Sequence, residues 1–131
     1  MRERDAFVKR EGWDLGFYAF GTGPEAHAVS GELERRGYSV KFWGGFVLPG
    51  DNLEKAKVEF ERRSRVLVGF GMKNAFSEVL RAQQAGRRFV PMLRTGEKAP
   101  FGAGGVHPLW YSSPTAAADI LIRTLTQAPR G

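Results

Sequence analysis

The chain has 131 residues, which fits one domain with a hydrophobic core and leaves no room for two. It contains no cysteine and only two histidines, His27 and His107, so we predict no disulfide, no thiolate chemistry and no metal site. The net charge of +6 attracts anions, but the basic residues are scattered or gather at predicted helix ends, and we do not expect nucleic acid as a partner.

The first half of the chain alternates between strand and helix patterns. Residues 1–13 form a charged lead-in without the apolar stretch of a secretory signal, and an aromatic strand follows at Asp14–Phe20. Pro24 suits the first position of a helix that ends at Gly37. A second strand at Tyr38–Trp43 comes next. It is followed by the loop Gly44–Asp51, a helix cap at Asp51 or Asn52, and an apolar helix face of Leu53, Ala56 and Phe60.

The second half begins with a short apolar run, Val66–Phe70, which has the length of a buried strand. After a turn, Asn74 caps a helix that ends at Gly86. Arg88–Leu93 is a fourth strand, and because Pro91 cannot donate a ladder hydrogen bond, we expect this strand near an edge or at a bulge. A glycine-rich loop then precedes a short strand, Leu109–Tyr111, and a helix that begins at Pro114 and turns Ala118, Leu121, Ile122 and Leu125 to the sheet.

This alternation predicts an α/β protein. Parallel strands need crossover connections, and helices supply them. We therefore predict a flavodoxin-like fold with a five-stranded parallel sheet of order 2-1-3-4-5 and helices on both faces. Residues 1–131 are interpreted as a single domain with a core of about residues 14–126. No apolar run approaches the ~20 residues of a membrane span, so we expect a cytoplasmic protein with no membrane partner.

Three sequence stretches occur in an order that resembles a known domain family. DLGFYAF (14–20) is an aromatic strand, RRGYSVKFW (35–43) runs into GGFVLPGD (44–51), and RVLVGFG (65–71) precedes NAFSEVLRAQ (74–83). Together they resemble the TIR (Toll/interleukin-1 receptor) domain family of bacterial type, over about Asp14 to Thr126. The second stretch resembles the family's BB loop, whose Pro-Gly corresponds to Pro49-Gly50. The third resembles the family's glutamate-bearing helix, and that glutamate corresponds to Glu78.

The resemblance implies chemistry on NAD. In enzymes of this family the glutamate acts where the bond between nicotinamide and ribose C1′ breaks, by stabilising positive charge that develops on the ribose. Glu78 is thus the predicted catalytic residue, NAD is the substrate, and no cofactor is implied. The residues alone leave another interpretation open, because a glutamate near a helix N-terminus is also favoured by the helix dipole.

Five residues are predicted to bind NAD: Phe20, Gly21, Thr22, Trp43 and Phe46. Backbone N–H groups of the Gly21-Thr22 turn could receive a phosphate or ribose oxygen, although the turn lacks the GxGxxG fingerprint. The aromatic rings could form a platform for nicotinamide or adenine. Phe20 and Trp43 could equally be core residues, whereas Phe46 lies in a glycine-rich loop and is the aromatic residue that we expect to be exposed.

The loop Gly44–Asp51 carries the apolar residues Phe46, Val47 and Leu48, which indicates a protein contact. In the family this loop mediates head-to-tail assembly that often completes the active site. The leading hypothesis is a NAD hydrolase or cyclase in immune or defence signalling that is activated by self-association through this loop. Other domains of a longer chain are further candidate partners. The alternative is a non-catalytic TIR-like scaffold, favoured by the altered first loop and the missing Trp before Glu78. A third hypothesis is a nucleotide-sensing or deoxyribosyltransferase-like α/β domain, which would bind nucleosides rather than NAD.

Overall fold

Five parallel strands form the sheet. The computed structural model describes residues 12–19, 23–70, 81–96 and 109–127. The strands are β1 (Trp13–Ala19), β2 (Val40–Phe42), β3 (Ser64–Phe70), β4 (Phe89–Arg94) and β5 (Leu109–Tyr111). Their order is β2-β1-β3-β4-β5, and each neighbouring pair is parallel. The predicted flavodoxin-like order is confirmed.

Helices cover both faces of this sheet. They are α1 (Gly23–Arg35), α2 (Trp43–Phe46), α3 (Leu53–Arg63) and α4 (Pro114–Gln127), and residues 81–84 are also helical. The helices α1 and α4 pack against each other on one face, while α2 and α3 contact the other. Within the described ranges, no helix has the length and apolar character needed to cross a membrane.

Alternating side chains of the central strands supply a core on each face. From β1, Leu15 and Phe17 pack with α1 and α4, whereas Tyr18 packs with α3. In β3, Leu67 lies on the α3 side and Val68 on the other. The core beneath α1 and α4 is mostly aliphatic, with contributions from Val29, Leu33, Ala117, Ala118, Leu121 and Leu125. The core beneath α3 is smaller and mostly aromatic.

The end of α1 shows how a local signal sets an element boundary. Gly37 has φ of 89°, which L side chains rarely adopt. The Tyr38 N–H donates to the Leu33 carbonyl at 3.0 Å, and the Gly37 N–H donates to the Glu34 carbonyl at 3.0 Å. This is the Schellman pattern, which satisfies the last carbonyls of a helix. Gly86, with φ of 81°, ends the helical residues 81–84 in the same way.

The predictions for Trp13, Trp43 and Leu53 were wrong. Trp13, assigned to the lead-in, begins β1, and Trp43, assigned to the second strand, begins the four-residue helix α2. Leu53, predicted on the buried face of α3, is 57% exposed. It is the first residue of α3 and precedes the turns that contact the sheet, where Ala56 and Phe60 are buried.

Pro91 lies in β4, the strand next to the edge strand β5, which agrees with the predicted position near an edge. β4 pairs with both β3 and β5. In a parallel ladder, alternate residues bond to opposite neighbours. The Thr95 N–H donates to the Tyr111 carbonyl at 2.8 Å, so the odd-numbered residues of β4 face β5. The β4–β5 register begins at Met92 and Leu109, and the absent N–H of Pro91 therefore points past the start of β5.

Candidate functional site

The strand order of the sheet reverses between β1 and β3. The chain leaves β1 towards β2 on one side, whereas β3 lies on the other side. Ligands of open α/β sheets bind at such a switch point. The last paired residues here are Ala19 and Phe70. Residues 20–22 and 71–80 follow them directly in sequence.

Four of the predicted site residues fall in those two stretches. Phe20, Gly21, Thr22 and Glu78 lie outside the described residues, and their roles stay predictions. The described part of the site comprises the strand ends and the start of α1. The Phe46 ring lies against Trp13, the first residue of β1, and so near the opposite end of that strand from Ala19.

Trp43 and Phe46 belong to an aromatic cluster beneath α3. The Trp43 ring centroid lies 5.7 Å from that of Tyr18 and 5.4 Å from that of Phe60. The Phe46 ring lies 5.4 Å from Phe60 and 5.7 Å from Trp13. Both side chains are half-buried, so the expectation of an exposed Phe46 was wrong. The glycine-rich sequence forms the short helix α2, and one turn of helix carries the Phe46 ring back against its own domain.

The segment after α2 forms a tight turn. The Asp51 N–H donates to the Leu48 carbonyl at 3.1 Å, and the Leu48 N–H donates to Asp51 Oδ2 at 2.8 Å. Pro49 and Gly50 occupy the two central positions, and Gly50 has φ of 89°, as a type II turn requires. Leu48 is 63% exposed on this turn. An ordered turn thus presents an apolar side chain to solvent.

A salt bridge joins α1 to the carboxyl end of β4. Arg94, the last residue of β4, donates from Nη1 to Oε1 of Glu25 in the first turn of α1. β3 lies between β4 and β1 in the sheet, so the pair links α1 to a strand two positions away from β1. Neither residue is among those that the sequence pattern predicts for the site. The available signal was an arginine directly after the buried part of a strand, at the edge of the sheet where ligands bind.

Other titratable groups of the described residues provide weaker candidates for a site. His27 of α1 is exposed and its ring stacks on Phe42 at a centroid distance of 4.2 Å, which accounts for its position. Among the described residues, no group of three or more His, Asp or Glu side chains could hold a metal ion. Glu59 lies on α3, where the hydrogen bond from the Arg62 side chain holds the pKa of its carboxyl below the ordinary value.

Comparison with solved structures finds a likeness in fold. A solved structure of a metazoan TIR-STING receptor from C. gigas matches with a TM-score of 0.55 and 19% sequence identity. The likeness supports a TIR-like fold. The match covers 88% of this chain and 41% of the receptor chain, so the chain spans about two fifths of that receptor's length. No model of a known protein family matches the chain, and no curated protein matches its sequence.

At this identity the TIR-like likeness concerns the fold alone. It agrees with the five-stranded parallel sheet. The chemistry at the carboxyl ends of β1 and β3 depends on residues that follow the two strand ends.

Proposed function

We propose that this chain is a TIR-like domain that cleaves NAD at the bond between nicotinamide and ribose, in immune or defence signalling, and that self-assembly activates it. The observation that carries the proposal is the strand order, which sets the carboxyl ends of β1 and β3 side by side at Ala19 and Phe70. The stretch after Ala19 contains the predicted NAD-binding residues, and the stretch after Phe70 contains Glu78.

The reaction needs little from the protein beyond one carboxylate. The nicotinamide of NAD is a cationic ring, so it leaves with the bonding electron pair as a neutral molecule and needs no protonation. Positive charge develops on ribose C1′, and a carboxylate beside the ribose stabilises it. Water then attacks C1′ in a hydrolase, whereas another atom of the same nucleotide attacks in a cyclase. In this proposal Glu78 supplies the carboxylate.

NAD turnover at high protein concentration tests this proposal. Nicotinamide release is measured for the wild type beside Glu78→Gln, over a range of concentrations, because a site completed by assembly is silent when dilute. We expect the Glu78→Gln rate to fall about 100-fold or more, the size of effect seen when an electrostatic stabiliser is removed. Glu34→Gln is the matched control, since Glu34 is an exposed carboxylate near the opposite end of α1. An unchanged rate in Glu78→Gln would remove that residue from the mechanism.

The second candidate function is a scaffold that acts by homotypic contact without chemistry. The exposure of Leu48 on an ordered turn favours it, because an exposed apolar side chain on a loop is typical of a protein contact. The packing of Trp43 and Phe46 within their own domain also favours it, since these rings already have partners. Absence of NAD turnover at every concentration, together with measurable self-association, would establish this function instead.

A further inference from the structure

The Glu25–Arg94 salt bridge sets a cation at the edge of the sheet where the substrate of the proposed function would bind. Arg94 ends β4 at the carboxyl edge of the sheet. Glu25 lies two residues after Gly23, at which α1 begins. The pair therefore brings a guanidinium to the carboxyl edge of the sheet, beside the start of α1.

The exposure of the two side chains shows that the arginine is accessible. The Arg94 side chain is 49% exposed, whereas that of Glu25 is 20% exposed. A carboxylate in the first turn of a helix is held by the helix dipole as well as by its partner. Arg94 is the more accessible member of the pair, and an ion pair at this exposure contributes little stability, so exchanging one anion for another on Arg94 costs little.

We infer that Arg94 binds the phosphate groups of the dinucleotide, and that Glu25 holds the guanidinium in place until the ligand displaces it. Arginine presents a planar fork of donors that suits phosphate oxygens as well as carboxylate oxygens. In the free protein the carboxylate of Glu25 thus occupies the position that a phosphate takes in the complex. This inference rests on the proposed function for the identity of the ligand. The contact between Arg94 and Glu25 does not depend on the proposed function.

The two members of the pair predict opposite effects on binding. Arg94→Gln removes the cation and weakens binding of ADP-ribose by about tenfold, the usual effect of one charged hydrogen bond. Glu25→Gln tightens binding, because it removes a carboxylate that would lie beside the bound phosphates and repel them. If the salt bridge were purely structural, Arg94→Gln and Glu25→Gln would change binding in the same direction.

Titration calorimetry at low salt provides the test, with ADP-ribose, adenosine and inorganic pyrophosphate as probes. The proteins are the wild type, Arg94→Gln, Arg94→Lys and Glu25→Gln, each checked by thermal unfolding. Arg36→Gln is the matched control, because Arg36 also forms an exposed salt bridge between elements, with Asp119 of α4, just beyond the opposite end of α1. We expect adenosine binding to be the same in all variants, and Arg94→Lys to retain part of the affinity for the phosphate-bearing probes.

The possible outcomes separate this inference from the proposed function. Equal ADP-ribose affinity in the wild type and Arg94→Gln would overturn the role of Arg94 while leaving NAD cleavage standing. Pyrophosphate binding that depends on Arg94, without any NAD turnover, would keep the anion site and reject the NAD reaction. Equal weakening in Glu25→Gln and Arg94→Gln would reduce the pair to a structural contact, and binding of neither phosphate-bearing probe would overturn the assignment.

Discussion

Gly16 of β1 shows how a single residue constrains the packing of the sheet. A Cβ atom at this position would lie 2.2 Å from Ser64 Oγ and 2.9 Å from the Phe60 ring. Ser64 cannot easily move, because its hydroxyl donates to the Phe60 carbonyl at 2.7 Å and accepts from Trp13 Nε1 at 2.6 Å. Only glycine lets α3 and the start of β3 approach β1 this closely.

We predict that Gly16→Ala lowers the free energy of unfolding by about 1–3 kcal/mol, the usual range for overpacking a core. Denaturant unfolding measures the effect. Gly31→Ala is the control, since Gly31 is exposed on α1 with nothing within 4 Å of its added Cβ. Gly31→Ala should raise the free energy of unfolding by roughly 0.5–1 kcal/mol. Equal stability of Gly16→Ala and the wild type would show that the contact yields without strain.

At the scale of elements, a buried carboxylate attaches the edge strand β2 to the rest of the sheet. β2 has only three residues, all half-buried. Asp14 of β1 is fully buried, and its Oδ2 accepts from the Ser39 N–H at 2.9 Å, just before β2. The Asp14 N–H donates to Ser39 Oγ at 2.9 Å, and Arg65 Nη1 of β3 lies 3.4 Å from Oδ1. One side chain therefore links three neighbouring strands.

Replacing this carboxylate should loosen β2 before it unfolds the domain. In Asp14→Ala the Ser39 N–H loses its acceptor, at a cost of about 1–3 kcal/mol in stability. Relative to the wild type, amide hydrogen exchange in Asp14→Ala should become faster at Val40–Phe42, and it should increase less in the central strands. Asp119→Ala, which breaks an exposed pair with Arg36, should change stability by no more than about 1 kcal/mol. Unaltered protection of Val40–Phe42 would contradict this role for Asp14.

At the scale of the whole molecule, the exposed turn at Leu48 makes the proposed self-association testable. Leu48→Glu places a charge on the exposed tip and should lower self-association, because an apolar contact would then bury a carboxylate. Sedimentation velocity over a concentration series measures it. Val58→Glu is the control, since Val58 is 55% exposed on α3. If the average molecular mass of Leu48→Glu in solution rises with concentration as that of the wild type does, the turn does not form the self-association contact.

The fold was more predictable from sequence than the site. Strand and helix periodicity, with glycine at helix ends, led to the observed order of elements because these signals are local. The site was less predictable. The aromatic character of Trp43 and Phe46 is equally consistent with a ligand platform and with a core, and their partners Trp13 and Phe60 come from elements that the pattern cannot bring together.

The sequence by itself determined the alternation of strands and helices, the ends of α1 and of residues 81–84 at glycine, and the parallel sheet, because crossover connections and backbone conformation depend on neighbouring residues. Only the tertiary structure decided which aromatic rings are half-buried, why Gly16 must be glycine, and that Arg94 meets Glu25. Arg94 and Glu25 are 69 residues apart, and their contact arises from the strand order and from the packing of α1 on the sheet. Contacts of this kind depend on geometry that no local pattern contains.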